Sequence, residues 1–142
     1  MSWAPRNTIV VPVDFSEKSL SAVDVALQLA ASPSGVHVVH VLQELSAVEP
    51  GEVWHTVDHE TRKNHVLEAL AKRLSDAMYR DLRHAALFGD PGSEIAEYAR
   101  EVGADLIVLT SHGRTGIKRL LIGSVAERVI RLAHCPLLVL RD

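Results

Sequence analysis

Five short runs of β-branched and aliphatic residues, separated by stretches with helical spacing, restrict this chain to a narrow set of folds. The runs are residues 8–13, 36–42, 82–88, 105–109 and 136–140. After the first, Leu20, Val23, Leu27 and Ala30 recur at a helical period, with Ser16 as N-cap and Pro33-Ser34-Gly35 as the stop. A longer helix is expected over about residues 58–80, its apolar stripe being Leu67, Leu70, Leu74 and Met78. Gly89-Asp90-Pro91-Gly92 reads as a turn, and Ser93 opens a short helix carrying Ile95 and Ala99. A last helix runs over residues 125–133, whereas residues 43–57 show no clear period. Strands alternating with helices predict an α/β fold, a doubly wound parallel sheet with helices on both faces.

Size and composition agree with this expectation. The chain has 142 residues and no evident repeat, so a single domain spanning residues 1–142 is expected. Hydrophobic residues make up 47% but aromatic ones only 4%, which gives an aliphatic core suited to a covered parallel sheet. The net charge of −3 gives no general attraction to nucleic acid or to an anionic membrane. One cysteine, Cys135, cannot close an intramolecular disulfide. The first residues lack the basic-then-apolar order of a secretion signal, and a cytoplasmic location is expected.

The segment after the fourth run carries the chemistry. Thr110-Ser111-His112-Gly113-Arg114-Thr115-Gly116 leads through Gly123-Ser124-Val125 into the last helix. A strand, a loop with three glycines and a helix start gather free backbone N–H groups and a helix dipole at one spot. That is an anion-binding arrangement, and nucleotide is the first ligand it suggests. Local charge supports it: from residue 110 onward six Arg or Lys face two acids. In doubly wound sheets ligands sit outside the carboxyl ends of the strands, where strand order reverses. Asp14 and residues 110–113 both lie at such ends.

The chain resembles the universal stress protein family over nearly its whole length. The resemblance rests on Ile9-Val10-Val11-Pro12-Val13-Asp14-Phe15-Ser16, on Gly89-Asp90-Pro91-Gly92-Ser93-Glu94-Ile95, on the glycine segment, and on Pro136-Leu137-Leu138-Val139-Leu140. It implies a five-stranded parallel sheet in the order 3-2-1-4-5 and a homodimer paired through the final strand, residues 136–140. It also implies ATP, or AMP or ADP, bound through a Gly-x2-Gly-x9-Gly-Ser/Thr loop, in which Gly113, Gly123 and Ser124 match and Thr110 replaces the first glycine. A β-branched residue tolerates positive φ poorly, so Thr110 is expected to continue the strand. On this resemblance Pro12, Val13, Asp14, Val41 and Gly89 border the base and ribose. Ser111, His112, Gly113, Arg114, Gly116, Gly123, Ser124 and Val125 border the phosphates, and Thr110 offers a hydroxyl to ribose or phosphate.

Most of these residues also admit a purely structural role. Ser124 either touches phosphate or forms a capping box with Glu127. Asp14 either accepts from an adenine amine or ribose hydroxyl or simply begins the first helix; Val41 faces a base or fills the core; Gly89 borders the pocket or turns the chain. Arg114, Lys118 and Arg119 screen a triphosphate or form a solvated face. His112 has no assigned carboxylate to orient it and no nucleophile beside it, so it reads as a turn residue rather than a base. No catalytic residue is assigned, and at most weak ATP hydrolysis is expected. His55, His59, Glu60 and His65 lack zinc-site spacing and read as surface residues, so no protein metal site is expected. Mg²⁺ would enter with the triphosphate. Three functions compete on sequence alone: a nucleotide-dependent regulatory module, a slow ATP hydrolase, and an interaction protein whose cleft stays closed.

Overall fold

The structure, a computed structural model, describes residues 3–43, 55–111 and 122–141. Five strands, β1 (Ile9–Pro12), β2 (Val36–Leu42), β3 (Arg83–Phe88), β4 (Leu106–Thr110) and β5 (Leu137–Leu140), alternate with four helices. The helices are α1 (Glu17–Leu29), α2 (His55–Arg73), α3 (Pro91–Glu101) and α4 (Ser124–Leu132). All strand pairs are parallel, in the order β3-β2-β1-β4-β5, as the sequence and its resemblance imply.

Alternation along the strands divides the core in two. Ile9, Val11, Val36, Val38, Leu106 and Val108 face α1 and α2, meeting Ala22, Val23, Ala26, Val66 and Leu70. Val10, Val39, Ile107 and Leu109 face the other way, against Ile95 and Ala99 of α3 and Ala126 and Val129 of α4. Each fully buried Val, Leu or Ile contributes about 1.5–3 kcal/mol, so the two layers hold the strand ends in place.

The reversal in strand order lies between β1 and β4, and their pairing is short. Only Ile9↔Leu106 and Val10↔Ile107 are in register, whereas β1 keeps pairing with β2 as far as Pro12↔Val39. Val13 donates its N–H to Val39 O on β2, and Thr8 O accepts from Asp105 N beside β4. Alternation therefore turns the backbone nitrogen of Pro12 toward β4, where a proline has no donor to offer. The β1–β4 ladder ends below it, at the reversal of strand order where doubly wound sheets form their ligand crevice.

Several helix boundaries depart from the sequence expectation. The second helix stops at Arg73 rather than near residue 80, and a 3₁₀ turn over Ala77–Tyr79 follows. Tyr79 donates its hydroxyl to Asp24 at 2.6 Å, tying this turn to α1, while Met78 is 55% exposed instead of continuing the apolar stripe. The third helix begins at Pro91, not Ser93. Asp90 is its N-cap and accepts from the Ser93 N–H at 3.0 Å, with proline in the first turn, where its missing donor costs nothing.

Candidate functional site

One wall at the carboxyl ends of the strands is built by the turn from β1 into α1. Pro12 ends the strand, Val13 is buried, and Asp14 is half-buried beyond it. Asp14 Oδ1 accepts from the Ser16 N–H at 3.0 Å, and its own N–H donates to Ser19 Oγ at 3.1 Å. Ser16 caps α1 as expected, accepting from the Ser19 N–H at 3.2 Å. Phe15, between them, has φ of 67°, in the left-handed region that L residues seldom occupy. Val41 is half-buried and packs with the α3/α4 layer. Gly89 follows β3 with φ of 132°, donates its N–H to Leu42 O, and lies against the Glu94 side chain. At that φ a glycine is needed for the backbone itself.

The other wall is built by β4 and α4. Thr110 lies within β4, paired with Leu140, in the extended geometry expected of it. Ser111 is 3% exposed; its N–H donates to Leu140 O at 2.9 Å, and its carbonyl accepts from the Gly123 N–H at 2.6 Å. Those bonds fix both ends of the glycine segment at the end of β4. His112, Gly113, Arg114 and Gly116 lie outside the described residues, as do Lys118 and Arg119.

At the start of α4 the expected capping box does not form. Gly123, not Ser124, is the N-cap, and it has no side chain with which to cap. Ser124 is the first helical residue and is exposed, and Val125 beside it is 38% exposed. The box fails because Gly123 O already accepts the first helical bond, from Glu127 N at 2.9 Å, which moves the boundary back one residue. Glu127 instead bonds Arg131 one turn on, at 2.9 Å. Gly123 has φ of −61° and ψ of 156°, values open to any L residue. Its backbone geometry does not require glycine; glycine places no side chain in front of the first amides of the helix.

Between the amino ends of α3 and α4 is a cleft of about 450 Å³ lined by Gln43, Asp90, Pro91, Gly92, Ser124, Val125, Glu127, Arg128 and Arg131. Among the described residues assigned from sequence, Ser124 and Val125 line this cleft, whereas Pro12, Val13, Asp14, Val41, Gly89, Thr110 and Ser111 do not. Arg128 Nε lies 2.8 Å from Asp90 Oδ2 and 3.2 Å from Ser93 Oγ. Hydrogen bonds from the Ser93 hydroxyl and amide, with Arg128 beside them, hold the Asp90 carboxyl below its ordinary value. Sequence reading missed Gln43 and the Asp90–Ser93–Arg128 cluster. An Asp followed by Pro and then Ser is an N-cap signal that could have located Asp90, but nothing local points to its partner 38 residues away (128 − 90).

A model of the universal stress protein family matches residues 5–141. Universal stress protein MJ0531 of Methanocaldococcus jannaschii is 37% identical over 139 residues, covering 94% of this chain and 81% of that protein. The fold is shared with a universal stress protein solved in complex with cAMP, at a TM-score of 0.68, 26% identity, and coverage of 97% and 99% of the two chains. It is shared too with the universal stress protein of Archaeoglobus fulgidus in complex with dAMP, at a TM-score of 0.61, 25% identity, and coverage of 94% and 96%. With strand order, crevice and family match in agreement, this chain belongs to the universal stress protein family.

Proposed function

We propose that the protein is an adenine-nucleotide-binding regulatory module, forming one domain, that holds ATP or AMP across the crevice between β1 and β4. The observation that carries this reading is Gly123: a glycine in a conformation that needs none, standing uncapped before the exposed amino end of α4. Backbone amides there, with the helix dipole, favour an anion. Ser124, not engaged as a cap, has its hydroxyl available to a phosphate oxygen, and Gly113, Arg114 and Gly116 are assigned to the same phosphates. Asp14, beside Pro12 and Val13, is assigned to the adenosine end, with Val41 and Gly89 flanking the base. Complexes of two structural relatives with cAMP and dAMP support an adenine ligand. Mg²⁺, where present, arrives with the triphosphate and neutralises its charge.

The test is mass spectrometry of the purified protein after denaturation, followed by titration with ATP, ADP and AMP, with and without Mg²⁺. Retained or saturably bound adenine nucleotide is the expected result. Protein that carries none and binds none refutes the reading and leaves the interaction protein with a closed cleft. The proposal extends to a cytoplasmic homodimer paired through residues 136–140, since β5 is an apolar edge strand. A monomeric mass by sedimentation would count against that pairing.

A further inference from the structure

His40 lies on β2, next to Val41, and reaches across to the turn that carries Asp14. Its Nδ1 is 2.8 Å from the carbonyl oxygen of Val13. A carbonyl only accepts, so Nδ1 carries the proton and donates it. That carbonyl and the Asp14 N–H belong to one peptide group, and the N–H donates to Ser19 Oγ on the other side. One peptide plane is thus held at both ends, by a strand side chain and by a helix side chain. The next residue, Phe15, has φ of 67°, a conformation that is unfavourable for an L residue and persists only where its surroundings impose it. Its ring meets the His40 imidazole edge-on, with centroids 5.0 Å apart and planes at 62°.

On the reading that this crevice takes an adenine nucleotide, we propose that His40 is a positioning residue: by clamping the Val13–Asp14 peptide it aims the Asp14 carboxylate at the adenosine end of the ligand. A rotated peptide would move the Asp14 side chain and weaken contacts to base and ribose. Contacts made by the phosphates at the start of α4 would be untouched, because they use another strand and another helix. His40 touches no ligand in this scheme.

Two substitutions separate the bond from the bulk. His40→Phe keeps a ring against Phe15 but has no donor, whereas His40→Asn brings an amide N–H to the place of Nδ1. Affinities of the full-length chain for ATP and for inorganic tripolyphosphate are compared by calorimetry. His40→Phe is expected to lose about tenfold in ATP affinity, while tripolyphosphate stays within about twofold and His40→Asn recovers most of the loss. Parallel losses for both ligands, or an unchanged ratio, overturn the positioning role. Hydrogen exchange at the Asp14 amide, measured without ligand, reads the clamp itself. Exchange about tenfold faster in His40→Phe and restored in His40→Asn supports it, and unchanged exchange overturns it whatever the protein binds. A wild-type chain that binds ATP no better than tripolyphosphate overturns the nucleotide reading instead, and with it the purpose assigned to the clamp.

Discussion

Replacing Gly123 with Asp should make the empty protein more stable and the nucleotide less able to stabilise it. The native φ and ψ at this position are those of an ordinary N-cap, so an aspartate enters without backbone strain. Its carboxylate would accept from the amides of the first turn, a gain over glycine of a few tenths of a kcal/mol. Negative charge at a helix start adds about 0.3–1 kcal/mol. Glu127 stands four residues on, and like charges at that spacing take back about 0.2–0.5 kcal/mol. A net gain near 0.5 kcal/mol remains, which raises Tm by about 2 °C in a chain of this size. For the native protein, nucleotide at a hundred times its Kd adds about 2.7 kcal/mol, or roughly 10 °C. In the variant the carboxylate occupies the same amides and repels the phosphates, so that shift should all but vanish. The assay is a thermal melt with and without ATP. Opposite signs for the two effects rule out misfolding as the explanation. A full ATP shift in Gly123→Asp would refute the assignment of phosphate to this helix end, and a lower Tm without ligand would refute the capping argument.

Gly92→Ala should destabilise the protein by about 1–3 kcal/mol, because the new Cβ would come within 2.6–2.9 Å of Cβ, Cγ and Cδ of Arg128 across the α3/α4 contact. Urea unfolding checks this, and Arg128→Ala in the same chain should recover part of the loss. His37 and His84 are both held below the ordinary histidine value by burial, with Arg83 adding to the effect on His37. Their contribution is therefore complete above pH 6.5 and is lost as pH falls through the lowered folded-state values. His84→Leu, which also removes a buried Nε2 with no partner, should flatten that acid-side decline and raise stability at neutral pH by about 1 kcal/mol in urea melts. The Tyr79 phenol, hydrogen-bonded to Asp24 and partly desolvated, is pushed up to about 12, so its contribution is present below pH 10 and is lost as pH rises through that value. A phenolate absorbance titration should show this late transition, and Tyr79→Phe should lack it.

Four of the strands were legible as compact apolar runs, and 36–42 coincides with β2 residue for residue, whereas β3, Arg-His-Ala-Ala-Leu-Phe, has no β-branched residue and gave the weakest signal. Helix ends were harder to read. Met78 keeps helical spacing with Leu74, but the chain must turn back before β3, and the Tyr79–Asp24 bond that anchors that turn joins residues 55 apart. Pro91 looked like part of a loop because Asp-Pro-Gly is a turn signal; here the same residues cap and open a helix. Ser124 and Glu127 satisfied a capping pattern that Gly123 pre-empts by taking the boundary one residue earlier. At the β1–α1 turn, the position of Asp14 at the carboxyl end of β1 was legible from sequence. The left-handed Phe15 and the reach of His40 were not, since both arise from packing between strands distant in sequence.

Main-chain bonding between the first and fourth strands gives out at Val10 and Ile107, and an imino acid two residues on, unable to donate, keeps the pairing from running further. Exchanging side chains nearby would repaint the walls without restoring the missing bond. A lineage built on this frame can thus drift from one anionic guest to another while its skeleton stays the same, and close kinship in fold is compatible with divergence in what is held.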